Sequence, residues 1–419
     1  MINDRLDIRG NLLDGAGPEE HDPRISFAIT LARALHRYGT PTHRLEEMMK
    51  MVLGRLGLDG VFFGMPTGLF ASFGRPEAHQ TSLIRTEPVD VNLEKLSLLD
   101  ELSEQVIQGE IGPHRGASEV DAIVMAPSRY GGMVNIACFC LASGTAARFF
   151  GGGWREMAAA AIIGMAIGSA AVITGPHQNT RRVFEMLAGV IASALATIAA
   201  HIVPPCSSYV ATLAGLIILI PGLTLTTAVT EIATGNLVSG TARLTGAALT
   251  FLEIGFGVAL GGQIGRLFPA ELPVTVPEPL AGWTLWIALV ASPFAFAVLL
   301  RARPRDAWWI MLACALGFGG ARVGTWVLGP ELGAFVGACT LGIGGNLFAR
   351  FLRRPAAVLL LPGLILLVPG SIGFGSLSKF MERDVMSGVE AAFNVLLVAV
   401  ALVTGLLLAN ALVHPRRTL

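Results

Sequence analysis

The stretch Leu213-Ala-Gly-Leu-Ile-Ile-Leu-Ile-Pro-Gly222 returns 148 residues later as Leu361-Pro-Gly-Leu-Ile-Leu-Leu-Val-Pro-Gly370, with seven of ten positions identical. The register persists beyond both copies, since Pro221 and Ser239 lie 18 residues apart, as do Pro369 and Ser387. Each copy is apolar up to its Pro-Gly pair, where proline removes a backbone donor and glycine releases the chain from helical geometry. The sequence therefore predicts two equivalent apolar segments, each interrupted at the same point.

Apolar stretches of about 18–25 residues, the length that crosses a bilayer, fill the chain from Gly131 onward. Of the 419 residues, 53% are hydrophobic and 14% are charged, whereas roughly a quarter of the residues are charged in an average soluble domain. The sequence therefore predicts a polytopic α-helical membrane protein. Ten spans are expected, near residues 131–150, 157–174, 184–203, 207–229, 244–266, 281–300, 307–328, 331–349, 356–375 and 388–412.

The repeat pairs the fourth span with the ninth, and five spans separate them. An odd number of spans inserts the second copy upside down, and inverted repeats recur in secondary transporters whose Pro/Gly-interrupted spans lie near the binding site. The residues alone leave open the alternative that both Pro-Gly pairs are kinks or ends of spans. We predict two inverted five-span modules, residues 131–268 and 281–413, joined by a linker at 269–280 and followed by a basic tail at 414–419.

The N-terminal part of the chain has a different character. Residues 1–130 carry a net charge of −6 and the remainder carries +6. After a polar tail at 1–23, helical spacing predicts a helix near 25–35, and Thr40-Pro41 predicts a second one with Thr40 as its N-cap. Alternating pieces around Val61–Gly64, Leu69–Phe73 and Thr81–Arg85 predict a small antiparallel sheet, and a further helix is expected near Leu93–Gln108. Residues 24–130 are thus predicted to form an α+β domain.

The basic residues of the loops predict an orientation. With the N-terminus inside, the inner loops and tail collect eleven arginines, against five basic residues outside, which satisfies the positive-inside rule. The N-terminus contains no apolar core of the signal-peptide type. Both termini and the α+β domain are therefore expected on the cytoplasmic side.

Several kinds of site find little support in the sequence. The five cysteines, Cys138, Cys140, Cys206, Cys314 and Cys339, form no CxxC pair and fall in or beside apolar runs, so buried thiols are expected. His43, Glu46 and Glu47 share one helical neighbourhood but have no third metal ligand, which favours a solvated or interdomain helix face. No catalytic motif and no nucleic-acid surface is evident. We expect a non-enzyme without cofactor or metal, whose partners are a small solute, protons and the lipid bilayer; a homo-oligomer is left open.

Three motifs in this chain resemble those of a known family. The first motif, Tyr38-Gly-Thr-Pro-Thr-His-Arg-Leu-Glu46, resembles the signature that opens the cytosolic domain of the threonine/serine exporter (ThrE) family. The second motif, Pro221–Leu244, is similar to that family's first membrane motif, and Leu367–Ser371 is similar to its second. The resemblance implies a ten-span carrier of the bacterial inner membrane that expels threonine and serine, driven by the proton motive force. The family commonly has an aspartate where this chain has Glu231.

A hydroxy amino acid needs donors for its carboxylate, acceptors for its ammonium group and a polar partner for its hydroxyl. Residues at the two breaks, together with a polar residue of the tenth span, are the candidates for these contacts. For the threonines, the alternative is a hydrogen bond back to a carbonyl of their own helix. The candidate substrate-binding residues are Pro221, Gly222, Thr224, Thr226, Thr227, Pro369, Gly370, Ser371 and Asn394.

Ionisable residues near the membrane supply candidates for proton coupling or gating. Glu253 lies in the middle of a span, where an unpaired carboxylate is costly, so such residues face a cavity, pair or carry protons. Glu231 and Lys379 occupy equivalent repeat positions, as do Asn236 and Asp384; solvated loop charges are the alternative for these. Besides a proton-coupled threonine/serine exporter, the sequence leaves open a carrier of another small metabolite, such as a dicarboxylate or peptide, and a membrane-anchored sensor or scaffold.

Overall fold

The computed structural model describes residues 22–74, 80–86, 89–175, 180, 182–263, 277–278, 280–367 and 385–414. Five of the candidate residues, Pro369, Gly370, Ser371, Lys379 and Asp384, lie outside the described residues. The described part of the chain is mainly helical, and it contains one small sheet.

The N-terminal region, residues 22–125, combines four helices with the predicted antiparallel sheet. Strands Gly60–Met65 (β1), Gly68–Phe73 (β2) and Gln80–Arg85 (β3) follow the order β1-β2-β3, and both pairings are antiparallel. Residues with helical spacing on the first two helices, such as Phe27, Leu31 and Met49, are fully buried and build the core of this region. The helices are α1 (Pro23–Arg37), α2 (Thr42–Leu56), α3 (Leu93–Ile107) and α4 (Pro113–Met125).

The predicted start of α2 is wrong by one residue. The helix begins at Thr42 with Pro41 at the N-cap position, and no side chain of Pro41 can cap it. Thr40 precedes the cap, and its hydroxyl has no hydrogen-bond partner among the described residues. A carboxylate from a distant helix accepts the hydrogen bond of the first amide instead, which a local capping rule cannot foresee.

Among the described residues, seven helices are long and apolar enough to cross a membrane. Two further apolar helices of the described chain are shorter, Trp283–Leu299 and Ala357–Leu367. The chain is thus a polytopic helical membrane protein. From Gly132 onward its helices are α5 (Gly132–Phe149), α6 (Trp154–Thr174), α7 (Phe184–Ile202), α8 (Ser208–Gly215), α9 (Gly222–Ala233), α10 (Leu237–Gly262), α11 (Trp283–Leu299), α12 (Ala307–Leu328), α13 (Pro330–Leu352), α14 (Ala357–Leu367) and α15 (Val385–Leu412).

The predicted fourth span is broken into two helices. Helix α8 ends at Gly215, residues 216–221 are irregular, and α9 begins at Gly222 with Pro221 as its N-cap residue. The interruption at the first Pro-Gly pair is therefore present. The corresponding point of the second copy follows α14 and lies outside the described residues.

Helices at corresponding positions of the repeat pack in the same way. Helix α7 packs along α10, and α13 packs along α15. Glycines 148 residues apart allow both contacts: a Cβ on Gly257 would overlap the carbonyl oxygen of Met186, and one on Gly405 would overlap that of Phe335. Close backbone approach at small residues is a common way for membrane helices to pack.

The N-terminal region docks on one end of the helical bundle. Its α3 begins against the end of α11, where the Leu93 amide donates to the Leu300 carbonyl at 3.0 Å. Glu101 on the same helix accepts from Arg303 at 2.7 Å, just beyond α11. At the opposite end of the bundle, Arg148 donates to Thr284 at 2.7 Å. Helix α11 thus runs from the end of the bundle away from the N-terminal region to the end that carries it.

Candidate functional site

Glu231 joins the helical bundle to the N-terminal region. Its side chain is completely buried on α9. One carboxylate oxygen accepts from the backbone N–H of Thr42 at 2.8 Å, and the other accepts from the Ser239 hydroxyl at 2.8 Å. The Nε–H of Arg243 donates to both oxygens, at 3.1 and 3.0 Å. Because these donors and the cation offset the cost of burying the carboxylate, the alternative of a solvated loop charge is wrong for Glu231.

The hydroxyl groups at this contact form a directed chain. Ser239 gives its single hydroxyl proton to Glu231, so the Thr42 hydroxyl, 2.8 Å away, donates to Ser239. Glu231 is thereby linked to Thr42 by two routes. One is the direct hydrogen bond from the Thr42 amide, and the other runs from the Thr42 hydroxyl through the Ser239 hydroxyl. The carboxylate thus accepts from the first amide of α2 in place of a local capping side chain, from 189 residues away.

A second contact reinforces the first one turn further along α2. The Asn236 side-chain amide donates to Glu46 at 3.0 Å, and the other oxygen of Glu46 accepts from the Gly64 amide at 2.9 Å. Gly64 is required at this point of β1, because a Cβ there would lie 2.6 Å from the Thr42 methyl group. The first and second motifs, separated by almost two hundred residues, are therefore one structural unit.

Beside this contact lies a cavity of about 560 Å³, which we call the inter-region cavity. One wall comes from the N-terminal region and the opposite wall from α9, α14 and α15. The volume falls in the range of about 300–1,000 Å³ that is typical of small-molecule sites. Its polar and charged lining residues among those described are Thr40, His43, Arg44, Glu47, Thr226, Thr227, Thr230, Thr234, Asn410 and His414.

The wall from the N-terminal region carries donors without partners. Thr40 Oγ1 and His43 Nδ1 are buried and have no hydrogen-bond partner within the described chain. The half-buried guanidinium of Arg44 likewise makes no hydrogen bond or ion pair to the residues that the structure describes. Buried polar groups are normally paired, so this cluster indicates room for a polar ligand.

Burial also changes the protonation equilibria on this wall. It lowers the pKa of His43 to about 4, with smaller contributions from the positive charges of Arg44 and Arg243. Burial lowers the pKa of Arg44 as well, which the nearby carboxylate of Glu47 partly opposes. At neutral pH the imidazole is therefore uncharged and the guanidinium carries the positive charge on this wall.

The threonines of α9 differ in position and in bonding. Thr226 and Thr227 line the inter-region cavity, whereas Thr224 is exposed outside it. Thr226 is 2% exposed, and its hydroxyl donates to the Gly222 carbonyl at 3.1 Å. The hydroxyl of Thr230 donates to the Thr226 carbonyl in the same way. Thr230 is not among the residues predicted from the sequence. Two predicted residues thus reach the cavity, and at Thr226 the alternative of bonding to its own helix also holds.

Other predicted residues lie away from the cavity. Pro221 and Gly222 end the irregular segment, but neither lines the cavity. Glu253 is half-buried in the middle of α10, and Asn394 is half-buried on α15. Their predicted roles remain predictions. Among the described residues, no group of three or more His, Cys, Asp or Glu side chains could hold a metal ion.

Sequence reasoning missed Thr40 and Arg44 as site residues. Both lie in the first motif, and the motif itself was the available signal. Their residue types alone do not distinguish a cavity wall from a solvated helix start. Helical spacing did point to His43, Glu46 and Glu47 as a shared face, and Glu46 does contact the helical bundle at Asn236.

Two family models together match most of this chain. The model described as "Putative threonine/serine exporter" matches residues 26–265, and the model described as "Threonine/Serine exporter, ThrE" matches residues 284–412. The chain belongs to the ThrE family. The family is one of membrane exporters, and the resemblance inferred from the first and second motifs is thereby confirmed.

Curated relatives of the chain are yeast membrane proteins. Pheromone-regulated membrane protein 10 of Yarrowia lipolytica is 29% identical over 83% of this chain, and that of Kluyveromyces lactis is 27% identical over 88%. The Saccharomyces cerevisiae protein of the same name is 26% identical over 88%. The chain spans only 30%, 39% and 48% of the length of these three proteins, respectively. No solved structure matches the chain.

Proposed function

We propose that this protein is a secondary active exporter of threonine and serine across the bacterial inner membrane, coupled to the proton motive force. Family membership supports export, and the family description supports the two amino acids. The inter-region cavity is the observation that carries the proposal. It offers a cation, a carboxylate and hydroxyl groups around a space of about 560 Å³, which suits a small zwitterion with a side-chain hydroxyl.

The proposed architecture is ten spans in two inverted five-helix modules. The broken pair α8 and α9 and the shorter helices α11 and α14 supplement the seven long apolar helices. Corresponding packing at Gly257 and Gly405 supports equivalence of the modules. Helix α11 runs from one end of the bundle to the other, which supports counting this shorter helix as a crossing.

The proposed orientation has both termini and the N-terminal region in the cytoplasm. Arg301, Arg303 and Arg305 follow α11 on the end of the bundle that carries the N-terminal region. Arg243 and Arg354 lie at the same end. Basic loops on one side are what the positive-inside rule expects of a cytoplasmic face.

The contact at Glu231 supports a gating role in this proposal. Docking at Thr42 and Asn236 holds the first motif over the cytoplasmic end of the cavity, so release of that contact would open the cavity to the cytoplasm. Glu253 on α10 is the proposed proton carrier, because a carboxylate in the middle of a span is costly unless it faces a cavity, pairs or carries protons.

The test is flux of labelled threonine in liposomes that contain the purified protein, with and without an imposed pH gradient. We expect accumulation that depends on the gradient and that excess serine suppresses. Glu253→Gln should retain exchange of threonine across the membrane while losing dependence on the gradient. Flux of malate or of a dipeptide without flux of threonine would favour a carrier of another metabolite. Absence of any flux would contradict the exporter proposal.

A further inference from the structure

The N-terminus of α2 presents a group of unpaired donors to the inter-region cavity. The first amides of any helix have no partner inside the helix. Glu231 takes the Thr42 amide, whereas within the described part of the chain nothing accepts from the amides of His43 and Arg44. These two N–H groups lie at the positive end of a helix of 15 residues, which favours negative charge.

An independent observation at the same place is the side chain of Thr40. It is 3% exposed, lines the cavity, and its hydroxyl has no hydrogen-bond partner among the described residues. A hydroxyl buried without a partner destabilises the fold. Because the Thr40 hydroxyl does not cap the helix that follows it, the unpaired hydroxyl indicates a place for a ligand.

We propose that the carboxylate of the transported amino acid binds at the N-terminus of α2, between Thr40, His43 and Arg44. The N-terminal region, and not the membrane helices, supplies the anion half of the substrate site. This inference rests on the proposed function. It specifies that the carboxylate of the substrate faces the wall of the inter-region cavity that comes from the N-terminal region.

The chemistry of the donors favours a carboxylate. The guanidinium of Arg44 is planar and matches the two oxygens of a carboxylate. Thr40 adds a single hydroxyl donor beside it, and the unpaired Nδ1 of His43 adds a second in the tautomer that carries the proton on that nitrogen. The carboxylate of Glu47 lines the same cavity, where it repels a multiply charged anion and pairs with an ammonium group. Opposite charges within one cavity therefore match a zwitterion.

The experiment measures ligand-induced shifts in the unfolding temperature of the purified full-length protein in detergent. The probes are L-threonine, L-threoninol, which has a hydroxymethyl group in place of the carboxylate, L-malate and inorganic phosphate. We expect wild type to be stabilised by threonine and not by threoninol. Malate and phosphate should have weaker effects than threonine, since Glu47 opposes a second negative charge.

Variants of the proposed anion site separate an effect on stability from an effect on threonine binding. Thr40→Val removes a buried hydroxyl without a partner, so the unfolding temperature without ligand should rise while the shift caused by threonine falls. Arg44→Lys keeps the charge but loses the bidentate geometry, so we expect the affinity for threonine to fall severalfold. Arg44→Gln loses both, so we expect the affinity to fall by about tenfold or more. Arg55→Gln, at an exposed position on the same helix, is the matched control and should bind as wild type.

Each outcome decides between the inferences. Unchanged threonine affinity in Arg44→Gln and Thr40→Val, or equal stabilisation of wild type by threoninol, would overturn the carboxylate site. Stabilisation by malate but not by threonine, lost in Arg44→Gln, would keep the carboxylate site and contradict amino-acid export. Stabilisation by phosphate equal to that by threonine would replace the carboxylate site with a general anion site. The absence of a shift with every probe would overturn the carboxylate site.

Discussion

The two walls of the inter-region cavity are both polar, but they differ in what their polar groups are free to do. On the wall from the membrane helices, Thr226 and Thr230 donate to carbonyls of their own helix. On the wall from the N-terminal region, the hydroxyl of Thr40 and Nδ1 of His43 have no partner within the described chain. Hydroxyl groups that line the cavity therefore do not by themselves make a binding site.

The largest effect is expected where the two walls are joined. Glu231→Ala leaves Arg243 without its carboxylate and the Thr42 amide without an acceptor, and breaking a buried ion pair costs about 3–5 kcal/mol. We expect the first motif to undock from the bundle, with faster amide exchange at Thr42–Glu46 and lost transport. Hydrogen exchange measured by mass spectrometry on the purified protein checks this.

A double-variant cycle provides the control for the Glu231 prediction. Glu231→Ala combined with Arg243→Ala should destabilise the protein less than the sum of the two single variants, because no unpaired charge remains. Wild-type exchange rates at Thr42–Glu46 in Glu231→Ala would contradict the contact between the walls.

The charge state of the N-terminal wall predicts a pH dependence of stability. The pKa of His43 falls to about 4 in the folded protein, whereas it is about 6.5 in an unfolded chain. Between these values the unfolded chain binds more protons. His43 therefore makes stability fall on the order of 1–3 kcal/mol as pH drops from about 6.5 to 4, and has no such effect above that window.

The unfolding temperature between pH 7.5 and 4.5 measures this dependence. His43→Gln should flatten the decrease, while His114→Gln, which changes an exposed histidine on α4, should follow wild type. An equally steep decrease in His43→Gln would show that the wall is not the source of the pH dependence.

A smaller effect is expected at the outer edge of the N-terminal region. Glu101 pairs with Arg303, but 44% of its side chain is exposed, so solvent screens the interaction. Glu101→Gln should destabilise the protein by less than about 1 kcal/mol, with an effect that shrinks at high salt. Unfolding temperatures at low and high ionic strength test this. A loss as large as that of Glu231→Ala would mean that docking does not depend mainly on Glu231.

The smallest effect is expected on the membrane wall. Because the hydroxyl of Thr226 is already bonded to Gly222, Thr226→Val should leave the KM for threonine within about twofold of wild type. Thr40→Val should raise that KM, since the Thr40 hydroxyl has no hydrogen-bond partner in the described part of the chain. Initial rates in liposomes distinguish the two variants, and equal KM values would remove the distinction between the walls.

Much of the fold follows from local patterns in the sequence. Alternation at Leu69–Phe73 and its neighbours predicts the antiparallel sheet, and the Pro221-Gly222 pair predicts the break between α8 and α9. Both signals lie within a few residues of the feature that they determine. The same patterns lead to the α9 threonines that face the cavity.

The contact between the first and second motifs was beyond such reasoning. Glu231 was a candidate gate residue, but its partner Thr42 lies 189 residues away, and no periodicity links the two positions. The local rule predicts Thr40 as the N-cap, whereas Pro41 occupies that position and the Glu231 carboxylate accepts from the first amide of the helix. Arg44 gives no signal until tertiary structure encloses it in a cavity.

Cysteine protection tests the central claim, that substrate occupies the cavity between the two walls. In a background with the native cysteines replaced, Thr227→Cys lies in the cavity and Ser118→Cys lies exposed on α4. Thiol modification is followed in liposomes that transport threonine. We predict that saturating threonine slows modification of Thr227→Cys severalfold and leaves the modification rate of Ser118→Cys unchanged. An unaltered rate at Thr227→Cys, in vesicles that still transport threonine, would contradict it.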